Sequence, residues 1–408
     1  MLCLEDYGPV VGRDTIEELR SLAAPLAGRA ITNINSTAVG GGVAEILNRM
    51  VPLLRDLGME ARWEVLRGGN DFYAVTKKFH NALHGAPQDI APQDYRVYED
   101  TVDQNLTQLP LDADFMVVHD PQPAALVKKR RDFRNRWAWR CHIDISQPSG
   151  DVWGFLKPYV EEYDVCVISA PPFSQKLRIP QALIPPSIDP LSEKNRDMEE
   201  SEITAILDRL RIPRDKPIVT QVSRFDRLKD PLGVLEAFLK VRASVDCRLI
   251  LVGGSADDDP EGSLVLNEVR ERADREPDIN VLSLPPTSHL EVNALQRAST
   301  VIMQKSLREG FGLTVSEALW KGKPVIAGAV GGIPLQIAHN ETGILVHSVE
   351  GAAHWMRTLL TQPAYAKRLG ENGREHVRQN FLITRHLRDC VLLFLAMENP
   401  GLDMIRIG

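Results

Sequence analysis

Cysteine is scarce and unpaired in this sequence: Cys3, Cys141, Cys166, Cys247 and Cys390 lie far apart, and their count of five is odd. That pattern excludes a short-spaced zinc ribbon or redox pair and fits reduced thiols in a cytoplasm. Cys166 and Cys247 stand in apolar runs and read as small core residues. Long apolar runs are missing too, and none approaches the ~18 residues of a membrane span. The first residues, MLCLEDYGPV, lack a basic start followed by an apolar stretch, so no secretory signal is expected. Basic charge is in deficit. A formal net charge of -7 argues against a nucleic-acid partner, because polyanions repel one another. The one basic cluster, Lys128 to Arg131 with Arg134 and Arg136, reads as a solvated helix end rather than a phosphate patch. Internal repeats and low-complexity tracts are absent as well. The expectation is a soluble, cytoplasmic protein with neither nucleic-acid nor membrane partners.

What is present is the balance of a globular chain, 43% hydrophobic and 25% charged residues over a length of 408, enough for about two or three domains. Apolar runs of strand length alternate with amphipathic helical stretches. Strands are expected at 29–36, 61–66, 114–119, 137–143 and 165–169, then at 217–223, 247–252, 279–282, 300–304, 324–328 and 343–346. Continuous Val/Ile/Leu content with helices between is the pattern of parallel strands covered on both faces. A helix over 43–57 carries apolar residues at three- and four-residue spacing, with Pro52 inside it predicting a kink. The segment 184–195, IPPSIDPLSEKN, has three prolines and separates two alternating blocks. The expected fold class is α/β, two Rossmann-like, doubly wound domains facing each other across a cleft, with ligands outside the carboxyl ends of the strands.

Three segments carry chemistry. Asn35 to Val43 (NSTAVGGGV) joins the first strand to the first helix. Its glycines, Gly40, Gly41 and Gly42, let backbone approach a ligand, and the helix amino end offers N–H groups to an anion. A simple tight turn is the other reading, and the segment is neither a Walker loop nor a GxGxxG fingerprint. Arg224 and Lys229 follow the strand 217–223. Arg gives forked hydrogen bonds to phosphate and Lys adds a mobile charge, so together they could neutralise a leaving pyrophosphate without a metal; surface charges before a helix are the alternative. In SLREGFGLTVSEAL, Glu309 lies in a loop and Gly310, Phe311, Gly312 and Leu313 open a helix whose N–H groups could take a phosphate or sugar hydroxyl. Glu317, eight residues after Glu309, could accept from ribose hydroxyls as acidic residues do in dinucleotide sites. A capping role for Glu309 leaves the flanking glycines unexplained.

His119 with Asp120, and His142 with Asp144, close two strands of the first block, where a ligand would lie. His80 and His84 carry no such argument. The acidic run Asp257–Glu261 reads as a helix start capped by Asp259, with Pro260 in the first turn, rather than as a metal site.

In this order the pieces resemble retaining glycosyltransferase family 4, which has the two-Rossmann-domain GT-B fold. The Glu-seven-residues-Glu signature is Glu309 and Glu317, and the phosphate pair is Arg224 and Lys229. The strings NINSTAVGGGVAEIL, HDPQPAAL, WRCHIDIS, PPSIDPLSEKN, QVSRFDRLKD, REGFGLTVSEALWKGKPVI and AVGGI look like the family's trehalose-making glycosyltransferring synthases, over nearly the whole chain. The resemblance implies an acceptor domain over 1–187, rejoined by a helix from about 380 to 408, and a nucleotide-sugar domain over 188–379. It implies that Gly40–Gly42 face the donor pyrophosphate and that His142 contacts the transferring glucose. Asn35, His119, Asp120 and Asp144 fall on the acceptor side. Arg224 and Lys229 stabilise the leaving diphosphate, Glu309 holds donor glucose hydroxyls and Glu317 the ribose.

The implied reaction joins glucose from an NDP-glucose to free glucose as α,α-trehalose, with retention, by front-face attack and without cofactor or metal. Charge stabilisation by Arg224, Lys229 and helix dipoles, with domain closure excluding water, would carry the catalysis. The rivals are a retaining trehalose phosphorylase, a GT-B sugar epimerase and a non-catalytic sugar-binding module. A homodimer is the common default for such chains.

Overall fold

A computed structural model describes residues 3–38, 41–254 and 260–401. The chain forms two compact units, one comprising Met1–Ser187 with Ile383–Gly408, the other Ile188–Leu382. The return to the first unit thus begins at Ile383, after the helix Pro363–Asn380 has ended within the second.

The first unit is built on β1 (Ala30–Asn35), β2 (Glu60–Val65), β3 (Phe115–His119), β4 (Arg136–Arg140), β5 (Val165–Ile168) and β6 (Gln181–Leu183). All are parallel, in the order β2-β1-β3-β4-β5-β6. All five residues of β3 are buried, and Trp137 and Trp139 of β4 are fully enclosed, as expected where helices cover both faces. The helix Gly42–Asp56 runs through Pro52 and packs against the last helix, Ile383–Glu398.

The second unit holds β7 (Ile218–Val222), β8 (Arg248–Gly254), β9 (Ile279–Leu284), β10 (Val301–Gln304), β11 (Val325–Gly328) and β12 (Ile344–Val346), ordered β12-β11-β10-β7-β8-β9 and parallel throughout. Strand residues alternate between two cores. Val219, Leu249, Leu251 and Met303 join Phe238 and Met356 on one face. Ile218, Ile250 and Val252 join Ile206 and Leu295 on the other. This period of two with both faces apolar is why the sequence showed continuous rather than alternating hydrophobic runs.

Both sheets are doubly wound, and each has a place where the strand order reverses: between β1 and β3 in the first unit, between β7 and β10 in the second. Two expectations shift. The strand expected over 137–143 ends at Arg140, because its neighbour offers its last rung at Arg140↔Val167; His142 and Asp144 therefore sit in a loop. The edge strand β6 had no apolar run to announce it. Among the described residues no helix is long and apolar enough to cross a membrane.

Candidate active site

In the second unit the residues singled out from the sequence gather at the reversal point. From β7 the chain turns through a short 3-10 helix, Arg227–Lys229, and from β10 through the loop that leads to the helix Leu313–Trp320. Lys229 and Glu309, far apart in sequence, meet there: the Lys229 ammonium lies 2.6 Å from Glu309 Oε2, which also accepts from Ser306 Oγ at 3.2 Å. Glu309 is 8% exposed, so this is a largely desolvated pair in which each partner compensates the other's charge. Arg224 is the exposed cation of the group and rests on Asp226, 3.2 Å away.

Backbone staples hold the two loops together. Leu307 N–H donates to the Leu228 carbonyl at 2.7 Å across the loops, and within the first of them the Gln221 side chain, on β7, donates from Nε2 to the Lys229 carbonyl at 2.8 Å. Asp230 follows Lys229 in a left-handed conformation (φ 50°), uncommon for a residue with a side chain. Its carboxylate caps the helix Pro231–Arg242 at Gly233 N–H and pairs with the buried Lys305. The Glu309 turn is also fitted against glycine. At Gly331 (φ +56°) a side chain would meet the Glu309 carbonyl oxygen at 1.6 Å.

Gly312 caps the helix in a left-handed conformation (φ 81°), and Leu313 is its first residue. Phe311 turns inward, 5% exposed and against Phe381, so only its backbone and that of Gly310 remain to face a ligand. Glu317 is 2% exposed, with Oε1 3.2 Å from the Lys194 ammonium. Its Oε2 is buried and has no hydrogen-bond partner among the described residues. A buried carboxylate oxygen without a donor is costly, and a ligand hydroxyl would satisfy it.

At the reversal point of the first unit the character is different. Gly41 caps the helix from Gly42 at φ 81°, and Gly40 lies outside the described residues. Asn35 is committed to the turn: Oδ1 accepts from Trp63 Nε1 at 2.8 Å, and Nδ2 donates to the Thr37 carbonyl at 2.7 Å. His119 Nδ1 and His142 Nε2 are 3.1 Å apart, and His119 Nε2 is 3.1 Å from Asn33 Oδ1. With that oxygen as acceptor, His119 carries its proton on Nε2 and takes one at Nδ1 from His142, leaving His142 Nδ1 as that ring's remaining acceptor. Asp120, left-handed at φ 67°, accepts the His142 N–H at 2.7 Å and so fixes the loop that presents the ring. Asp144 Oδ1 accepts from Ser146 N–H at 2.9 Å within its own loop.

Burial governs the charges here. It lowers His119 to about 3, helped by the neighbouring Arg140, and holds His142 well below its ordinary value. Burial lifts Asp120 to about 6 against the pull of the His142 N–H and Arg140. Arg140 itself is 4% exposed, with Nη1 unpaired among the described residues. The histidines are therefore neutral hydrogen-bonding groups at neutral pH.

Lys194, Lys305, Ser306, Asn33 and Arg140 were not singled out from the sequence. Lys305 and Ser306 could have been, since they directly follow an expected strand. Lys194 sits in the Pro-rich linker, where sequence alone suggests only solvated charge. No group of three His, Cys, Asp or Glu side chains suited to a metal ion occurs among the described residues. The acidic run before Pro260 lies largely outside them.

Comparison with known proteins accounts for this arrangement. Residues 202–376 match the family model for glycosyl transferases group 1, and residues 33–175 match that for the N-terminal domain of trehalose synthase. The fold is shared with sucrose-phosphate synthase from Thermosynechococcus elongatus, at TM-score 0.71 and 20% identity, over 90% of this chain and 98% of that one. Fold and site together define a glycosyltransferase of the GT-B class. Trehalose synthase of Pyrococcus horikoshii is 45% identical over 94% of both chains, and that of Rubrobacter xylanophilus 43% identical over 97% of both. The chain belongs to the trehalose synthase family. A trehalose phosphorylase from Pleurotus pulmonarius is more distant, 27% identical over 92% of this chain and 58% of its own length.

Proposed function

We propose that this glycosyltransferase moves glucose from a nucleoside-diphosphate glucose to free glucose, giving α,α-trehalose and the nucleoside diphosphate with retention at the donor carbon. The observation that carries the reading is the Lys229–Glu309 pair, 2.6 Å apart at the strand-order reversal of the second unit. It puts a cation for a departing phosphate beside a carboxylate for the hydroxyls of the sugar being transferred. Arg224, exposed two residues past β7, adds a forked donor for the same diphosphate. The partnerless Glu317 Oε2 suits a ribose hydroxyl, which favours a nucleotide donor over inorganic phosphate and so the synthase over the phosphorylase.

In the proposed step the acceptor hydroxyl attacks the anomeric carbon from the face that the diphosphate leaves. The bond from that carbon to the β-phosphate oxygen breaks, and the departing oxygen takes the acceptor proton. Lys229 and Arg224 compensate the charge that accumulates on the phosphate, the kind of preorganised electrostatic stabilisation that usually dominates catalysis. The neutral His142 ring accepts a hydrogen bond at Nδ1 from a hydroxyl of the transferring glucose without adding charge beside a carbon that is itself becoming positive. His119 and Asp120 hold that ring and its loop, and Asp144 holds the turn beyond. With two protein cations on the diphosphate, no metal is required.

Purified protein incubated with UDP-, ADP- or GDP-glucose and glucose in the presence of EDTA tests the proposal. Trehalose formed in step with released nucleotide, undiminished by EDTA, is the expected outcome. Nucleotide release without trehalose overturns the acceptor assignment. Phosphate-dependent trehalose cleavage with no donor turned over overturns the donor assignment.

A further inference from the structure

The segment entering the second unit forms a wall of the Glu317 site. Asn293 and Arg297, on the helix His289–Ala298, fasten it by donating to the Arg196 carbonyl, each at 2.9 Å. Asn195 Oδ1 receives the Lys321 ammonium at 2.9 Å, and the same ammonium donates to the Glu317 backbone carbonyl at 3.2 Å. One residue earlier in the segment, Lys194 places its ammonium 3.2 Å from Glu317 Oε1. The carboxylate is thus gripped through one oxygen, while Oε2 stays buried without a partner among the described residues.

We propose that Lys194 is a positioning residue for the nucleotide: its ammonium fixes Glu317 Oε1 and thereby presents Oε2 to a ribose hydroxyl. The inference rests on the reading of Glu317 as the ribose acceptor.

The physical case is one of charge and direction. A carboxylate 2% exposed is costly to bury unless a cation stands near, and it presents its free oxygen to a hydroxyl only where its orientation is held. Lys321 is not placed to grip the carboxylate, since its hydrogen bonds go to a carbonyl and an amide oxygen. Burial also pulls it down to about 7, against the pull of Glu317. Lys194 approaches from the segment that Asn293 and Arg297 hold in place, so its ammonium draws Oε1 to a fixed side and leaves Oε2 facing away from it.

The test compares calorimetric Kd values of UDP, ADP and GDP with those of their 2′-deoxy and 3′-deoxy counterparts. In the native enzyme, loss of the hydroxyl facing Glu317 is expected to weaken binding by about tenfold or more, as for a hydrogen bond to a charged group. In Lys194→Met that deoxy-to-ribo ratio falls to within about twofold of unity, and in Lys194→Arg it is kept. A merely structural role would weaken both nucleotides alike and leave the ratio standing. If Lys194→Met does not fold by circular dichroism, Lys194→Gln, neutral and of similar reach, decides instead. A native ratio near unity overturns the ribose reading of Glu317 and the inference with it. A large native ratio that survives loss of the Lys194 charge overturns the inference alone.

Discussion

The two reversal points solve the problem of burying polar groups in opposite ways. In the first unit, His119 is buried and His142 and Asp120 are half-buried beside the cation Arg140, and their ionisation gives way: the histidines stay neutral and the carboxyl is lifted to about 6. In the second, the buried Glu309 and Lys305 each contact a half-buried opposite charge, Lys229 and Asp230. Desolvation acts at both places. What differs is whether a counter-charge lies within a hydrogen bond. The lesson is one of division of labour. A neutral edge suits hydrogen bonding to sugar hydroxyls, and a charged edge suits a diphosphate.

The largest effect should come from stripping the charged edge. Arg224→Ala with Lys229→Ala is expected to lower kcat by about a thousandfold or more, as for loss of preorganised electrostatic donors, with the fold intact by circular dichroism. A kcat within about tenfold of native would break the comparison, because the second edge would then not be acting through charge.

A geometric variant sharpens the same point without touching a charge. Gly331→Ala forces a side chain against the Glu309 carbonyl, where 1.6 Å is available. Displacing Glu309 by about 1 Å should cost about a hundredfold in kcat while substrate KM moves little. Steady-state kinetics decides it, and an unchanged kcat would mean that Glu309 need not be held in place.

The smallest effect belongs to the neutral edge and is read as stability against pH. His119, His142 and His386, all lowered mainly by burial, bind fewer protons folded than unfolded below about pH 6.5. Stability therefore rises with pH through that window and is lost on acidification, since the unfolded chain binds more protons there. Asp120, raised to about 6, acts in the opposite sense between about 4 and 6, but it is one group against three. Denaturant midpoints should fall from pH 7 to pH 5. His386→Gln, which removes one buried histidine beside Ser187, should flatten that slope by up to roughly 1 kcal/mol per pH unit. An unaltered slope would mean that His386 does not stay neutral on folding.

By itself the sequence determined the doubly wound α/β pattern, because parallel strands buried on both faces must be continuously apolar and the segments between them amphipathic. It also placed His119, Arg224, Lys229 and Glu309 near carboxyl strand ends or in the turns that follow, and Glu317 in the helix beyond, since strand, turn and helix-start signals are local. The three-residue strand β6 escaped, having no apolar run, and β4 ended early because register with its neighbour set its length. Only the tertiary structure decided which of these groups meet and which keep their charge. Lys229 finds Glu309, Lys305 holds Asp230, Lys194 reaches Glu317 from a linker that looked like solvent-facing chain, and Phe311 turns into the core. Pairing and ionisation depend on burial and on neighbours drawn from distant segments, and neither is a property of a residue's place along the chain.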